Sequence, residues 1–234
     1  MMEFGIQFFP VVTPAEKSSA EYWNDALELT ALCDQLGYTN VRTIEHYFKP
    51  YGGYSPNPML FLAAASQRTR KARLITGAVI PQFNHPLKIA GEAGMMDGIC
   101  EGRFELGLAR AFLPHEFKAF GRSLDESRQR FDEGLAQLTR LLEEENVTME
   151  GRFHSFKNIT SLPRPVQKPR PPFWVAVIQT EESFINAGRL GHSIMCHPIG
   201  AEKLKVGLKL FRDAWRDAGH PGRGRVMIAF QMFC

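Results

Sequence analysis

Cysteine is scarce in this chain, and its spacing excludes more than it offers. Cys33, Cys100, Cys196 and Cys234 lie far apart, with no CxxC pair and no Cys/His run of metal-site spacing. Together with the absence of a signal peptide they read as reduced thiols in a cytoplasmic protein, Cys33 and Cys100 being small core residues rather than nucleophiles. No apolar run approaches the roughly 20 residues of a membrane-spanning helix. A dense Lys/Arg tract is missing too. The net charge is +3, and the two most basic stretches, Arg68 to Arg73 and the group Arg164, Lys168 and Arg170, have the scatter of a solvated face, which argues against nucleic acid. No GxGxxG follows the first strand-like run and no GxxxxGK[ST] occurs anywhere, which removes the usual nucleotide cradles.

What is present is an alternation of strand and helix. At 234 residues and 44% hydrophobic, the chain has material for one sizeable core. Single α/β barrels run to about 250 residues, so one domain over 1–234 suffices. Apolar runs at Phe4 to Phe9, Asn40 to Phe48, Ala72 to Ile80 and Arg103 to Ala109 read as four strands, and Phe173 to Gln179, Ile194 to His197 and Val226 to Phe233 as three more. Between them lie helix signals. Ser18 with Glu21 makes a capping box ahead of Tyr22, Ala26, Leu29, Leu32, Cys33 and Leu36, and Gly37 ends that helix. Asn57 and Pro58 start a second helix and Pro86 a third. A second capping box, Ser123 with Glu126, precedes the stripe Leu124, Phe131, Leu135, Leu138 and Leu142, which suits core packing or a subunit contact. Residues 147–172 read as a hairpin around Glu150-Gly151 followed by an extended proline-rich passage, inserted within the repeating units. Continuously apolar strands alternating with helices predict a parallel sheet covered on both faces. We expect an α/β fold of (β/α)8 TIM type lacking its last strand and helix, with a doubly wound open sheet as the runner-up. Such a chain is either a fragment of a longer one or has its open edge covered by another segment.

The stretch Ile44 to Pro58 organises the functional reading. It carries Glu45, His46 and Tyr47 out of a strand into a loop ahead of a helix, which is where barrel enzymes place working side chains. Residues just past the other strands gather on the same face of a barrel: Gly77-Ala78, Arg110, then Gln179, Thr180, Glu182 and Ser183, and His197. An arginine, hydroxyls at a helix start and a histidine suit a phosphate. The apolar floor Phe8, Ile44 and Leu108, with Phe112 nearby, suits a flat ring. Taken singly, each has a plainer reading: a structural salt bridge for Arg110, an ordinary helix position for Ser183.

These residues resemble those of the luciferase-like flavin monooxygenases, the bacterial luciferase superfamily, over nearly the whole chain. The similar segments, in order, are IEHYF with the later NP, LAAASQRTRKARLITGAVI, HPLKIAGEAGMMDGICEGRFELGLAR, HEFKAFG with ESRQR, and PRPVQKPRPPFWVA with the following ES. The resemblance implies a TIM-type barrel that binds FMN in reduced form, supplied by a separate flavin reductase, and uses O2 to oxygenate a small organic substrate, in a homodimer. It implies that His46 is catalytic. It places Glu45, Gly77, Ala78, Ala109, Arg110, Gln179, Thr180, Glu182, Ser183 and His197 at the cofactor, with a non-prolyl cis peptide at Gly77-Ala78 and Arg110 on the flavin phosphate. Phe8, Tyr47 and Phe112 line the substrate pocket on this reading. The chain departs from the family pattern where Tyr47 replaces a second histidine, where Ala109-Arg110-Ala111 replaces Gly-Arg-Gly, and where Gln179 and Glu182 replace small hydroxyl residues. Two other readings share the fold: hydride transfer with deazaflavin F420, and a non-catalytic flavin-binding or partner-binding member.

Overall fold

Four times in the first part of the chain a short strand hands over to a helix. β1 (Gly5–Phe8), β2 (Asn40–Thr43), β3 (Arg73–Thr76) and β4 (Phe104–Leu108) pair in parallel and in chain order, with Phe8 opposite Thr43 and Thr43 opposite Thr76. α1 (Ser19–Leu36), α2 (Pro58–Ser66) and α3 (Pro86–Ile99) make the crossovers. A six-residue α4 (Pro114–Ala119) and α5 (Ser127–Glu143) follow β4, and β5 (Val147–Met149) and β6 (Phe156–Ile159) form an antiparallel hairpin. Further on, β7 (Phe173–Ala176), α6 (Glu181–Arg189), β8 (Ser193–Cys196), α7 (Ala201–Asp217) and β9 (Val226–Ile228) repeat the scheme, their strands again parallel and in order. This computed structural model describes residues 2–178, 180–198 and 200–230, in two compact units, Met1–Pro171 and Pro172–Cys234. Parallel strands in chain order, each linked to the next by a crossover helix, are the construction of a TIM-type barrel. The described residues supply seven such strands.

The helix starts follow from local chemistry. Ser18 and Glu21 form the expected capping box, and Gly37 closes α1 in the left-handed conformation (φ 78°). The Asn57 side chain accepts from Met59 N, with Pro58 in the first turn of α2. His85 caps α3 in the same manner. The second expected capping box does not form. α5 begins only at Ser127, Ser123 Oγ accepts from Asp125 N at 3.3 Å instead, and Leu124 lies outside the helix and exposed. The rest of that stripe (Phe131, Leu135, Leu138, Leu142) is buried, as core packing. On α1 the expected stripe splits: Ala26 and Cys33 are buried, but Leu29, Leu32 and Leu36 are exposed.

The strands are less uniformly apolar than the sequence suggested. Arg42, Thr43, Thr76 and Glu105 are all buried within them, and each has a partner. Thr43 Oγ1 donates to Phe8 O (3.0 Å) and Thr76 Oγ1 to Gly107 O (2.9 Å). Arg42 Nη2 donates to Gly77 O (3.1 Å), and Glu105 accepts from Arg73 Nη1 (2.6 Å). Strands of four or five residues are too short for their polar members to stand out in a periodicity reading. The proline-rich passage is pinned to the first unit by Gln167, whose amide groups reach buried Asp97 of α3 (2.9 and 2.7 Å). Arg164 donates to the carbonyls of Leu141 and Leu142 near the end of α5 (2.7 Å each), which satisfies groups a helix terminus leaves open.

Candidate functional site

β2 ends at Thr43, and beyond it the side chains of 45–47 still take alternate sides. His46 goes one way; Glu45 and Tyr47 go the other, where they hydrogen-bond to each other. The loop that follows folds back on this segment. His46 N donates to Ser55 O (3.1 Å), Ser55 Oγ to Ile44 O (2.6 Å), and Gly52 N to Pro10 O (2.7 Å). Gly52 has φ 78°, and a Cβ there would lie 2.7 Å from His46 Cβ. Glycine is therefore what lets the loop lie against the histidine.

His46 is buried, 8% exposed. Its Nδ1 lies 3.0 Å from Oε1 of Glu116, a fully buried residue of α4. The same oxygen accepts from Tyr47 N at 2.8 Å, while Glu116 Oε2 is buried without a hydrogen-bond partner among the described residues. The neighbouring His115 Nε2 lies 3.3 Å from Tyr47 O. Consecutive residues of α4 thus hold both ends of one peptide segment. The imidazole also meets aromatic rings: Tyr51 (centroids 5.4 Å), Phe9 (6.0 Å) and Phe112 (6.0 Å, edge on). His46 Nε2 makes no hydrogen bond among the described residues.

Glu45 serves a separate network. Its carboxylate accepts from Ile80 N (3.0 Å), Asn84 Nδ2 (2.8 Å) and the Tyr47 hydroxyl. Burial pushes the Glu45 carboxyl up to about 7, against the opposing pull of these donors. Burial, and then the charge of Glu45, raise the Tyr47 hydroxyl well above the ordinary phenol range. A cavity of about 120 Å³ adjoins this network, lined by Glu45, Tyr47, Asn57, Met59 and Asn84 among others. Glu45 and Tyr47 therefore lie together, on the opposite side of the segment from the His46 ring.

The remaining candidates of the first unit cluster at the ends of β3 and β4. The Gly77-Ala78 peptide bond is cis, as the resemblance implied. Gly77 N donates to Thr43 O (2.7 Å), and a Cβ on Gly77 would fall 1.7 Å from Arg42 Nε, so the buried arginine occupies the space a side chain needs. Ala109 N donates to Val79 O (3.0 Å). Arg110 is exposed and makes no hydrogen bond or ion pair among the described residues, so the salt-bridge reading of it is not met. Phe8, Ile44 and Leu108 are buried, and Phe112 is half exposed. In the second unit, Thr180 is the N-cap residue of α6, and its hydroxyl lies 2.6 Å from that of Ser183. Glu182 is exposed in the first helical turn, and His197 is exposed just after β8. Gln179 lies outside the described residues. Among the described residues no group of three or more His, Cys, Asp or Glu is placed to hold a metal ion, and no helix is long and apolar enough to cross a membrane.

Glu116 is the residue that reading the sequence missed. The available signal was Pro114, a good first helical residue, which places Glu116 in a first turn.

A family model described as luciferase-like monooxygenase matches residues 2–234. A crystal structure of the monooxygenase RslO1 from Streptomyces bottropensis superposes with a TM-score of 0.94 at 50% identity, over 97% of this chain and 70% of that one. The oxygenase component of the flavin-dependent trigonelline monooxygenase of Acinetobacter baylyi is 33% identical over 217 residues, 91% of this chain and 59% of that protein. At 23% identity, the oxygenating constituent of 3,6-diketocamphane monooxygenase from Pseudomonas putida, solved with FMN, shares the fold with a TM-score of 0.89 over all of this chain and 68% of its own. The chain spans about 60% of the length of the curated relatives it matches.

Proposed function

This chain belongs to the luciferase-like monooxygenase family, and we propose that it is the oxygenase component of a two-component flavin monooxygenase. It would take FMN, reduced by a separate flavin reductase, and use O2 to oxygenate a small organic substrate, working in the cytoplasm as a homodimer. The observation that carries this reading is His46, a buried imidazole held at one nitrogen by Glu116 and packed among aromatic rings. The flavin-dependent relative at 33% identity supports the cofactor class.

The residues present fit a flavin. Phe8, Ile44 and Leu108 give an apolar floor and Phe112 a half-exposed flat face. Arg110, with no partner among the described residues, offers a forked donor suited to a phosphate. In the second unit, taken by itself, the hydroxyl pair of Thr180 and Ser183 at the start of α6 is a donor group of the same kind, with Glu182 in the same turn and His197 just after β8. Bound reduced flavin supplies the electrons that activate dioxygen. The chain's own residues do the rest: His46 gives or takes a proton at Nε2, chemistry an imidazole can perform. Phe9, Tyr51 and Phe112 give that ring aromatic surroundings. Glu45 and Asn84 brace the backbone that carries it.

The test has two parts. Anaerobic titration with reduced FMN and, separately, reduced F420 should show selective binding of FMN. Preference for F420 would turn the reading to hydride transfer. Incubation with a flavin reductase, 18O2 and a panel of aromatic and terpenoid compounds should then give label in product. In His46→Ala that label should fall by roughly 10²–10⁴-fold while FMN binding survives; unchanged labelling would remove His46 from the reaction.

A further inference from the structure

We propose that Glu116 is a positioning residue that holds His46 as its Nδ1–H tautomer and so makes Nε2 the proton-handling atom. The proposal rests on the oxygenase reading for its function, but not for its geometry. Glu116 Oε1 accepts the amide N–H of Tyr47 at 2.8 Å. The same oxygen therefore meets His46 Nδ1, 3.0 Å away, as an acceptor, and the proton of a neutral imidazole is placed on Nδ1. Nε2 then carries the lone pair, on a ring packed with Tyr51, Phe9 and Phe112, and makes no protein hydrogen bond among the described residues. A base whose proton-bearing nitrogen is fixed by a buried carboxylate is the arrangement in which the opposite nitrogen works.

The carboxylate is poorly used as a structural clamp. Both of its donors converge on Oε1, while Oε2 is buried and has no partner among the described residues. Leaving a buried acceptor unmade is costly. A side chain kept only to tie α4 to the Tyr47 peptide would be served as well by His115, which already reaches Tyr47 O from the same helix. What Glu116 adds is an acceptor oxygen 3.0 Å from the imidazole Nδ1.

The experiment is 15N NMR of the histidine-labelled protein, using two-bond proton–nitrogen correlations at a pH where His46 is neutral. Wild type should show His46 as the Nδ1–H tautomer. Glu116→Gln, which retains an acceptor oxygen, should keep that tautomer, and Glu116→Leu should lose the bias by roughly tenfold or more in tautomer ratio. An Nε2–H tautomer in wild type overturns the proposal without any variant having to fold. So does a folded Glu116→Leu protein that keeps Nδ1–H. The measurement needs neither flavin nor turnover, so failure of the oxygenase reading leaves its result standing. A switched tautomer with unchanged 18O labelling would support the positioning and refute the role given to His46.

Discussion

Replacing Glu45 by glutamine isolates one buried ionisation, and the structure sets its size. The Glu45 carboxyl is fully enclosed, and burial lifts it from 4.5 to about 7. The folded chain therefore holds this proton more tightly than the unfolded chain does. The stability this confers is fully present below pH 4.5, is lost between 4.5 and 7, and is gone above that. At about 1.4 kcal/mol per pH unit, the total is about 3 kcal/mol. Glutamine keeps the shape and an acceptor for Ile80 N but cannot ionise, so Glu45→Gln should gain stability relative to wild type by about 3 kcal/mol as pH rises from 4.5 to 8. Urea unfolding of both proteins at half-unit pH steps, in the absence of flavin, reads the difference directly. For a chain of this size the same effect appears as a shift in Tm of roughly 6–12 °C. Parallel stability curves across that range would refute the reasoning, because they would mean that Glu45 stays ionised in the fold or is reached by water.

Two further outcomes follow from local geometry. Gly52→Ala forces a side chain into the left-handed region and against His46 Cβ at 2.7 Å; it should cost roughly 1–3 kcal/mol in chemical denaturation and move the His46 ring resonances, and a cost below about 0.5 kcal/mol would mean the loop is free to shift. Arg110→Ala should weaken reduced-FMN binding by roughly tenfold or more while leaving riboflavin, which lacks the phosphate, unaffected; equal losses for both ligands would place the arginine elsewhere than the phosphate.

Much of the architecture was legible because its signals are local. The Ser18–Glu21 box, Asn57-Pro58, Gly37 and the hairpin around Glu150-Gly151 act within a few residues, and each appears where the sequence put it. The Ser123–Glu126 pattern has the same spacing yet forms no box, because the chain there turns into α5 one residue after Glu126 and Ser123 serves the Asp125 amide. A motif states a capability; the geometry of the helix start decides its use. Leu29, Leu32 and Leu36 show the parallel failure, since helical spacing tells which residues share a face but not whether the face is covered. At the candidate site, the position of His46 just after a strand was readable. Glu116 was not: its partnership spans 70 residues of sequence and comes from a helix of six residues, too short to leave a periodic trace. The separation of Glu45 and Tyr47 from the His46 ring was implicit in strand alternation, but their bonds to Ile80 and Asn84 depend on the following unit.

That alternation carries a consequence for anyone who would re-engineer this protein. The pairing of β2 with β1 and β3 ends at Thr43, and the Glu45 and Tyr47 side chains still lie together away from the His46 ring. Substitutions within this segment change one environment at a time. Adding or deleting a single residue between Thr43 and His46 instead exchanges the two environments wholesale: the carboxyl that titrates near neutrality would enter the aromatic recess, and the imidazole would face Asn84 and the Ile80 amide. Libraries that vary length here sample inverted sites, whereas libraries that vary identity sample tuned ones.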